Sequence, residues 1–167
     1  MFLPNVGYYH NRVVRIDNVD FILSTLWSRI PVVDEFAIQN GMNDYSQILY
    51  NKRRLIPQNI NEEFEKNFAF IQRVVDESDA EKIVVVTHHL PTFSALEQRH
   101  AGDVLNAAYA TELGNYIADS RISAWIYGHS HHSTDMMIAN THLVSNPLGY
   151  VFCGENSRFN DSAVIEV

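Results

Sequence analysis

Two short stretches of the chain are apolar at every position and end abruptly in polar residues. One is Ile83-Val84-Val85-Val86, the other Ala124-Trp125-Ile126-Tyr127. Runs this short and this uniformly apolar read as strands covered on both faces of a sheet. Between them, residues 103–119 place Leu105, Ala108, Leu113, Tyr116 and Ile117 on one helical side, which predicts a helix. Ahead of them, Phe64, Phe68, Ile71 and Val75 recur at helical spacing. Asn61 with Glu62 and Glu63 predicts the start of that helix, which runs to about Ser78. Residues 13–16 and 21–26 read as two strands turning at Asn18. Residues 28–58 are irregular, broken by Pro31, Gly41 and Pro57, with a short helix expected over 45–50. After the second apolar run, residues 135–139 and 142–145 predict strands joined through Asn140-Thr141, and 163–167 a closing strand. The expected fold class is α/β, with an antiparallel tail.

Length and composition change this picture little. A chain of 167 residues, 46% hydrophobic, can bury one sizeable core, so residues 1–167 are expected to form a single domain. A formal net charge of -8 argues against a nucleic-acid backbone binder. Lys52-Arg53-Arg54 is the only basic cluster and reads as a solvated turn. The single cysteine, Cys153, permits no intramolecular disulfide and fits a reducing compartment. No apolar stretch approaches a membrane span, and Met1-Phe2-Leu3-Pro4 lacks the basic start and apolar core of a signal peptide. A cytoplasmic location without a membrane partner is the expectation.

Candidate chemistry sits where the two apolar runs stop. The first ends at Thr87-His88-His89 with Pro91 close behind, the second at Gly128-His129-Ser130-His131-His132. Imidazole is the commonest nitrogen ligand for Zn, Fe and Mn. On extended backbone the i, i+2 spacing would put His129 and His131 on the same side, with His132 pointing away. Only one ring of the His88-His89 doublet can follow the rim; the other would face substrate or pack. His10, His100 and His142 stand alone and are read as ordinary polar residues.

Thr87-His88-His89-Leu90-Pro91 and Gly128-His129-Ser130-His131 resemble the two C-terminal motifs of the calcineurin-like metallophosphoesterases. Leu26-Trp27, Met42-Asn43-Asp44-Tyr45, Ala101-Gly102-Asp103-Val104-Leu105-Asn106 and Val144-Ser145-Asn146-Pro147-Leu148-Gly149-Tyr150 extend the resemblance toward the small bacterial phosphohydrolase branch. The resemblance implies half of a four-layer α/β/β/α sandwich and a phosphate ester as substrate. It also implies two divalent ions (Mn, Fe or Zn), with His88 and His129 on one and His131 on the other. His88 is preferred over His89 because the family's ligand directly follows the strand. Asn43, Asp44 and His89 are candidates for the substrate rim, while Asn146 and Gly149 are expected to shape a turn.

The departures from the family are specific. Its Asp-x-His, its Gly-Asp-x-x-Asp with a bridging aspartate and its Gly-Asn-His have no counterpart ahead of His88. Gly102-Asp103-Val104-Leu105-Asn106 ends in Asn and follows His88, and Gly114-Asn115-Tyr116 lacks the histidine. The chain is therefore expected to be the C-terminal part of a phosphoesterase, weak or inactive alone, because three neutral imidazoles cannot balance two divalent ions. The missing histidine is also the family's expected general acid, a role worth about 10²–10⁴ in rate. The competing expectation is a catalytically inactive scaffold with the same fold. Sheet left uncovered by the missing half makes a homo-oligomer a further expectation.

Overall fold

The structure, a computed structural model, describes residues 6–167. The reading of Met1-Phe2-Leu3-Pro4 falls outside the described residues. The chain opens with a hairpin of β1 (Arg12–Ile16) and β2 (Val19–Leu23), turning through Asp17, whose φ of 50° is left-handed, and Asn18. Strand β2 stops at Leu23, short of the expected Leu26, because Leu26 and Trp27 take φ values of 68° and 58° that no strand accommodates. Helices α1 (Glu35–Gly41) and α2 (Asp44–Gln47) follow; α1 carries no clear periodic signal, and α2 is shorter than expected. Beyond α2 the backbone extends, and β3 (Leu49–Tyr50) pairs antiparallel with β4 (Arg53–Arg54), so Lys52 sits in the exposed turn of a small ribbon and the two arginines form its second strand.

Helix α3 (Pro57–Glu77) starts four residues ahead of Asn61. Pro57 occupies the first turn, where the missing N–H is not needed and the fixed φ suits the helix. Asn61 bonds elsewhere. Its Oδ1 accepts from Ile30 N at 2.7 Å and its Nδ2 donates to Ile30 O at 3.0 Å, tying the irregular segment to α3.

Strands β5 (Lys82–Val86) and β6 (Ala124–Ile126) fall where the two apolar runs predict them. The helix expected over 103–119 is two: α4 (Asn106–Tyr109) and α5 (Gly114–Asp119). Between them the backbone is taken by the segment after His89. Leu90 N donates to Tyr109 O at 3.1 Å, Thr111 N to Leu90 O at 3.1 Å and Leu113 N to Pro91 O at 2.9 Å. Those bonds replace helical ones, so the apolar spacing survives while the helix does not. Strands β7 (Thr134–Ile138) and β8 (Thr141–Ser145) close an antiparallel hairpin turning at Ala139 and Asn140. Residues 163–167 form no strand: no strand pairs with them among the described residues, and Val164 is 88% exposed.

The six long strands make one sheet in the order β1-β2-β5-β6-β8-β7, with β2, β5, β6 and β8 parallel. Register aligns Ile22, Val85, Trp125 and Leu143 in one row across it, all fully buried. Under that row pack Phe64, Ile71, Val74 and Val75 of α3 with Leu113 and Ile117 near and on α5. Each aliphatic side chain so buried contributes about 1.5–3 kcal/mol. The opposite face carries Phe21, Leu23, Val86, Ile126 and Val144, partly exposed and outside both core clusters. A second cluster, Ile30, Ile38, Tyr45, Leu55, Ile60, Ala107 and Ala108, sits beyond the strand ends, and Trp27 packs against both. The result is a mixed α/β fold, and no described helix is long and apolar enough to cross a membrane.

Candidate functional site

Because β2, β5 and β6 run parallel, their C-terminal ends share one rim, the usual place for ligands on such sheets. Backbone bonds lock the three ends together. Thr25 O accepts from His88 N at 3.2 Å and from His89 N at 3.3 Å, and His88 O accepts from Gly128 N at 3.1 Å. Thr87 Oγ1 donates to His89 O at 2.9 Å and accepts from the buried Trp125 Nε1 at 3.0 Å. The doublet's direction is thus set from the core outward.

The rings then converge. His88 Nε2 lies 3.0 Å from His129 Nδ1, with the two rings at 70°. His89 is 5% exposed and is held between Trp27 (centroids 5.1 Å apart) and His129 (4.4 Å). Tyr109 adds a fifth ring, 4.6 Å from His129. Trp27, His88, His89, His129, Thr25 and Asp44 line a cavity of about 140 Å³ together with Met42, Tyr45, Ile60 and Ala108. Asp44 and His89 therefore border the same space as His88 and His129. Asn43 does not: its carbonyl accepts from Ser46 N and Gln47 N at 3.0 Å, starting the helix that carries Asp44.

The turn after β6 differs from expectation. His129 and His131 have φ of 66° and 50°, left-handed rather than extended, with Ser130 N bonded to Gly128 O at 2.9 Å. His129 turns inward to the histidine doublet, and His131 meets Glu155, its Nδ1 lying 2.9 Å from Oε2. Non-glycine residues in this region cost about 1–3 kcal/mol each and collect at functional sites. Leu26, Trp27, His129 and His131 put four of them around one rim.

Burial and mutual repulsion favour neutral rings here. His129 is pushed down to about 4, first by desolvation, then by the charges His88 and His131 would carry. Desolvation likewise lowers His88, and sets His89 well below the ordinary imidazole value. Neutral imidazole is the form that binds metal. Buried His129 Nε2 and His89 Nδ1 have no hydrogen-bond partner among the described residues, so the cluster holds unspent donor or acceptor capacity. Glu155 is held below the usual carboxylate range, chiefly by the Tyr150 N–H that it accepts, with the bond to His131 also lowering it.

The donor set fits one divalent ion in part. His88 Nε2 and His129 Nδ1 face each other at 3.0 Å across a hydrogen bond, so one ring carries its proton there and would have to hold it on its other nitrogen for both to ligate an ion. Among the described residues, no group of three or more His, Cys, Asp or Glu is arranged to hold a metal. The chain therefore offers a neutral pair rather than a full coordination shell. Sequence reasoning missed Thr25, Tyr109 and Glu155. Thr25 acts through its carbonyl, which no side-chain pattern reveals, and Glu155 stands 24 positions from its partner.

No protein-family profile matches the chain. It is 27% identical over 174 residues to an uncharacterised protein of Acanthamoeba polyphaga mimivirus, an alignment covering 98% of this chain. The chain spans 61% of that relative's length. Among solved structures it is similar to the phosphopantetheinyl hydrolase of Mycobacterium tuberculosis, with a TM-score of 0.49 and 15% sequence identity. That likeness covers 78% of this chain and 50% of the hydrolase.

Proposed function

We propose that this chain supplies the histidine side of a metal-dependent phosphoric ester hydrolase site. The observation that carries the reading is the meeting of His88 and His129. Parallel neighbouring strands bring these side chains, 41 positions apart, to 3.0 Å as neutral rings beside a cavity. The motif resemblance around the same residues supports it.

In this reading His88 and His129 hold one divalent ion and His131 Nε2 faces a second. Bound divalent ions neutralise charge on phosphoryl oxygens and lower the pKa of water. The chain's own residues do the rest. Thr25 O fixes the His88-His89 backbone, and Trp27 and Tyr109 pack at a tilt against His89 and His129 and help keep water from them. Asp44 and His89 border the space where the ester would lie, and Asn43 orients the helix that presents Asp44. A neutral imidazole pair cannot by itself balance two divalent ions. Turnover therefore calls for carboxylates from an Asp-x-His and a Gly-Asp-x-x-Asp segment.

Titration of Co²⁺, Mn²⁺ and Zn²⁺ into the chelator-treated chain tests the site. Wild type should bind, and His88→Ala and His129→Ala should each lose at least tenfold in affinity. Hydrolysis of p-nitrophenyl phosphate or its bis-ester should stay near background for this chain alone. It should rise when segments carrying the absent motifs are supplied in cis, and His131→Ala should then lower kcat. Equal metal content in wild type and both variants would overturn the reading. The absence of a three-ligand group among the described residues favours a second reading, an inactive scaffold. Silence of the extended protein across a broad panel of phosphate esters would select it.

A further inference from the structure

We infer that Glu155 is the positioning residue of His131, holding its ring in the tautomer that leaves Nε2 bare. The inference deepens the hydrolase reading and depends on it only for calling His131 a ligand.

A carboxylate can only accept hydrogen bonds, so the 2.9 Å contact from His131 Nδ1 to Glu155 Oε2 places the ring proton on Nδ1. In the neutral ring Nε2 is then an unprotonated lone pair facing away from Glu155. The same carboxylate oxygen accepts from Tyr150 N at 2.7 Å, which anchors the acceptor to backbone. Tyr150 also sets its ring edge-on to His131, with centroids 4.7 Å apart and planes at 89°.

Gly149 makes this closure possible. Its φ is 63°, and a Cβ there would lie 2.8 Å from Glu155 Cβ, 3.1 Å from Glu155 Oε2 and 3.4 Å from His131 Cβ. The loop that brings Glu155 back is latched at its base. Asn146 Nδ2 donates to Asn160 O at 2.7 Å, and Asn146 Oδ1 accepts from Asn160 N at 3.0 Å. The backbone over 146–150 forms no turn; Asn146 and Gly149 instead shape an open loop that aims a carboxylate at one imidazole. A partner on the non-ligating nitrogen fixes ring direction and raises the basicity of the other, and its loss typically weakens a metal site 10–100-fold.

The test is the ring proton itself. Long-range ¹H–¹⁵N correlation spectra of the metal-free, ¹⁵N-labelled chain at pH 8, assigned with His131→Gln, report which nitrogen is protonated. Wild type should show protonated Nδ1 and bare Nε2. Glu155→Gln should keep that pattern, because the amide oxygen still accepts. Glu155→Ala should move the proton to Nε2, and Gly149→Ala should do the same with the carboxylate still present, by displacing it. A wild-type ring protonated at Nε2, or a pattern unchanged in Glu155→Ala, overturns the inference without any reference to activity. If wild type shows protonated Nδ1 yet binds no Co²⁺, the placement of the proton by Glu155 is upheld and the hydrolase reading fails instead.

Discussion

Acidification should destabilise this fold well before its carboxylates titrate, and His129→Gln should remove a defined share of that loss. His129 titrates at about 4 in the folded chain, against roughly 6.5 for an unperturbed imidazole. Above pH 6.5 the ring is neutral in both states, and its contribution is fully present. As pH falls from 6.5 towards 4 the unfolded chain takes up a proton that the folded chain refuses, so stability drops by about 1.4 kcal/mol per pH unit. At pH 4.5 the loss reaches about 2.6 kcal/mol of a full shift of about 3.4 kcal/mol, and partial solvent access to the ring brings the expectation to about 2 kcal/mol. Asp20, Glu63 and Glu155 are lowered carboxylates whose losses begin below about pH 4.5, leaving the window above it to histidines. Urea unfolding in chelator, followed by tryptophan fluorescence at pH 7.5 and 4.5, measures the difference. Between these pH values His129→Gln should lose about 2 kcal/mol less than wild type, since His88 and His89 titrate in both proteins. Parallel stability profiles would refute the reasoning, because desolvation of His129 would then cost the folded state nothing.

Other substitutions test the frame that holds the site. Trp125→Ala empties the centre of the core row and strips Thr87 Oγ1 of a donor; it should cost about 3–5 kcal/mol in urea unfolding, and a loss below about 1 kcal/mol would contradict the packing. Asn61→Ala leaves both backbone groups of Ile30 unpaired and should cost about 1–3 kcal/mol, with faster hydrogen exchange at Ile30 as the local readout. Added Co²⁺ should raise the Tm of wild type and leave that of the His88→Ala, His129→Ala double variant unmoved, since only a native-state site couples ligand to stability.

Local chemistry made much of this protein legible from sequence. The runs at 83–86 and 124–127 are short, apolar throughout and bounded by polar residues, and both are strands because nothing distant competes with that pattern. The hairpin at Asn18, the body of α3 and the tail hairpin were legible for the same reason. So was the gathering of histidines at two strand ends. Tertiary structure decided whatever depends on a partner far along the chain. The helix expected over 103–119 broke because the Leu90 and Pro91 backbone offers bonds as good as helical ones. Pro57, rather than Asn61, starts α3, and Asn61 is occupied by Ile30. His88 meets His129 only because β5 and β6 pair in parallel with Val86 opposite Ile126, which no local pattern specifies. His131 meets Glu155 only because the loop after β8 returns to the turn after β6, where two left-handed residues replace the extended backbone. Residue types and short-range periodicity set which groups were available. Register, crossover and loop closure set which atoms they face, because these are properties of contacts between segments and not of any segment alone.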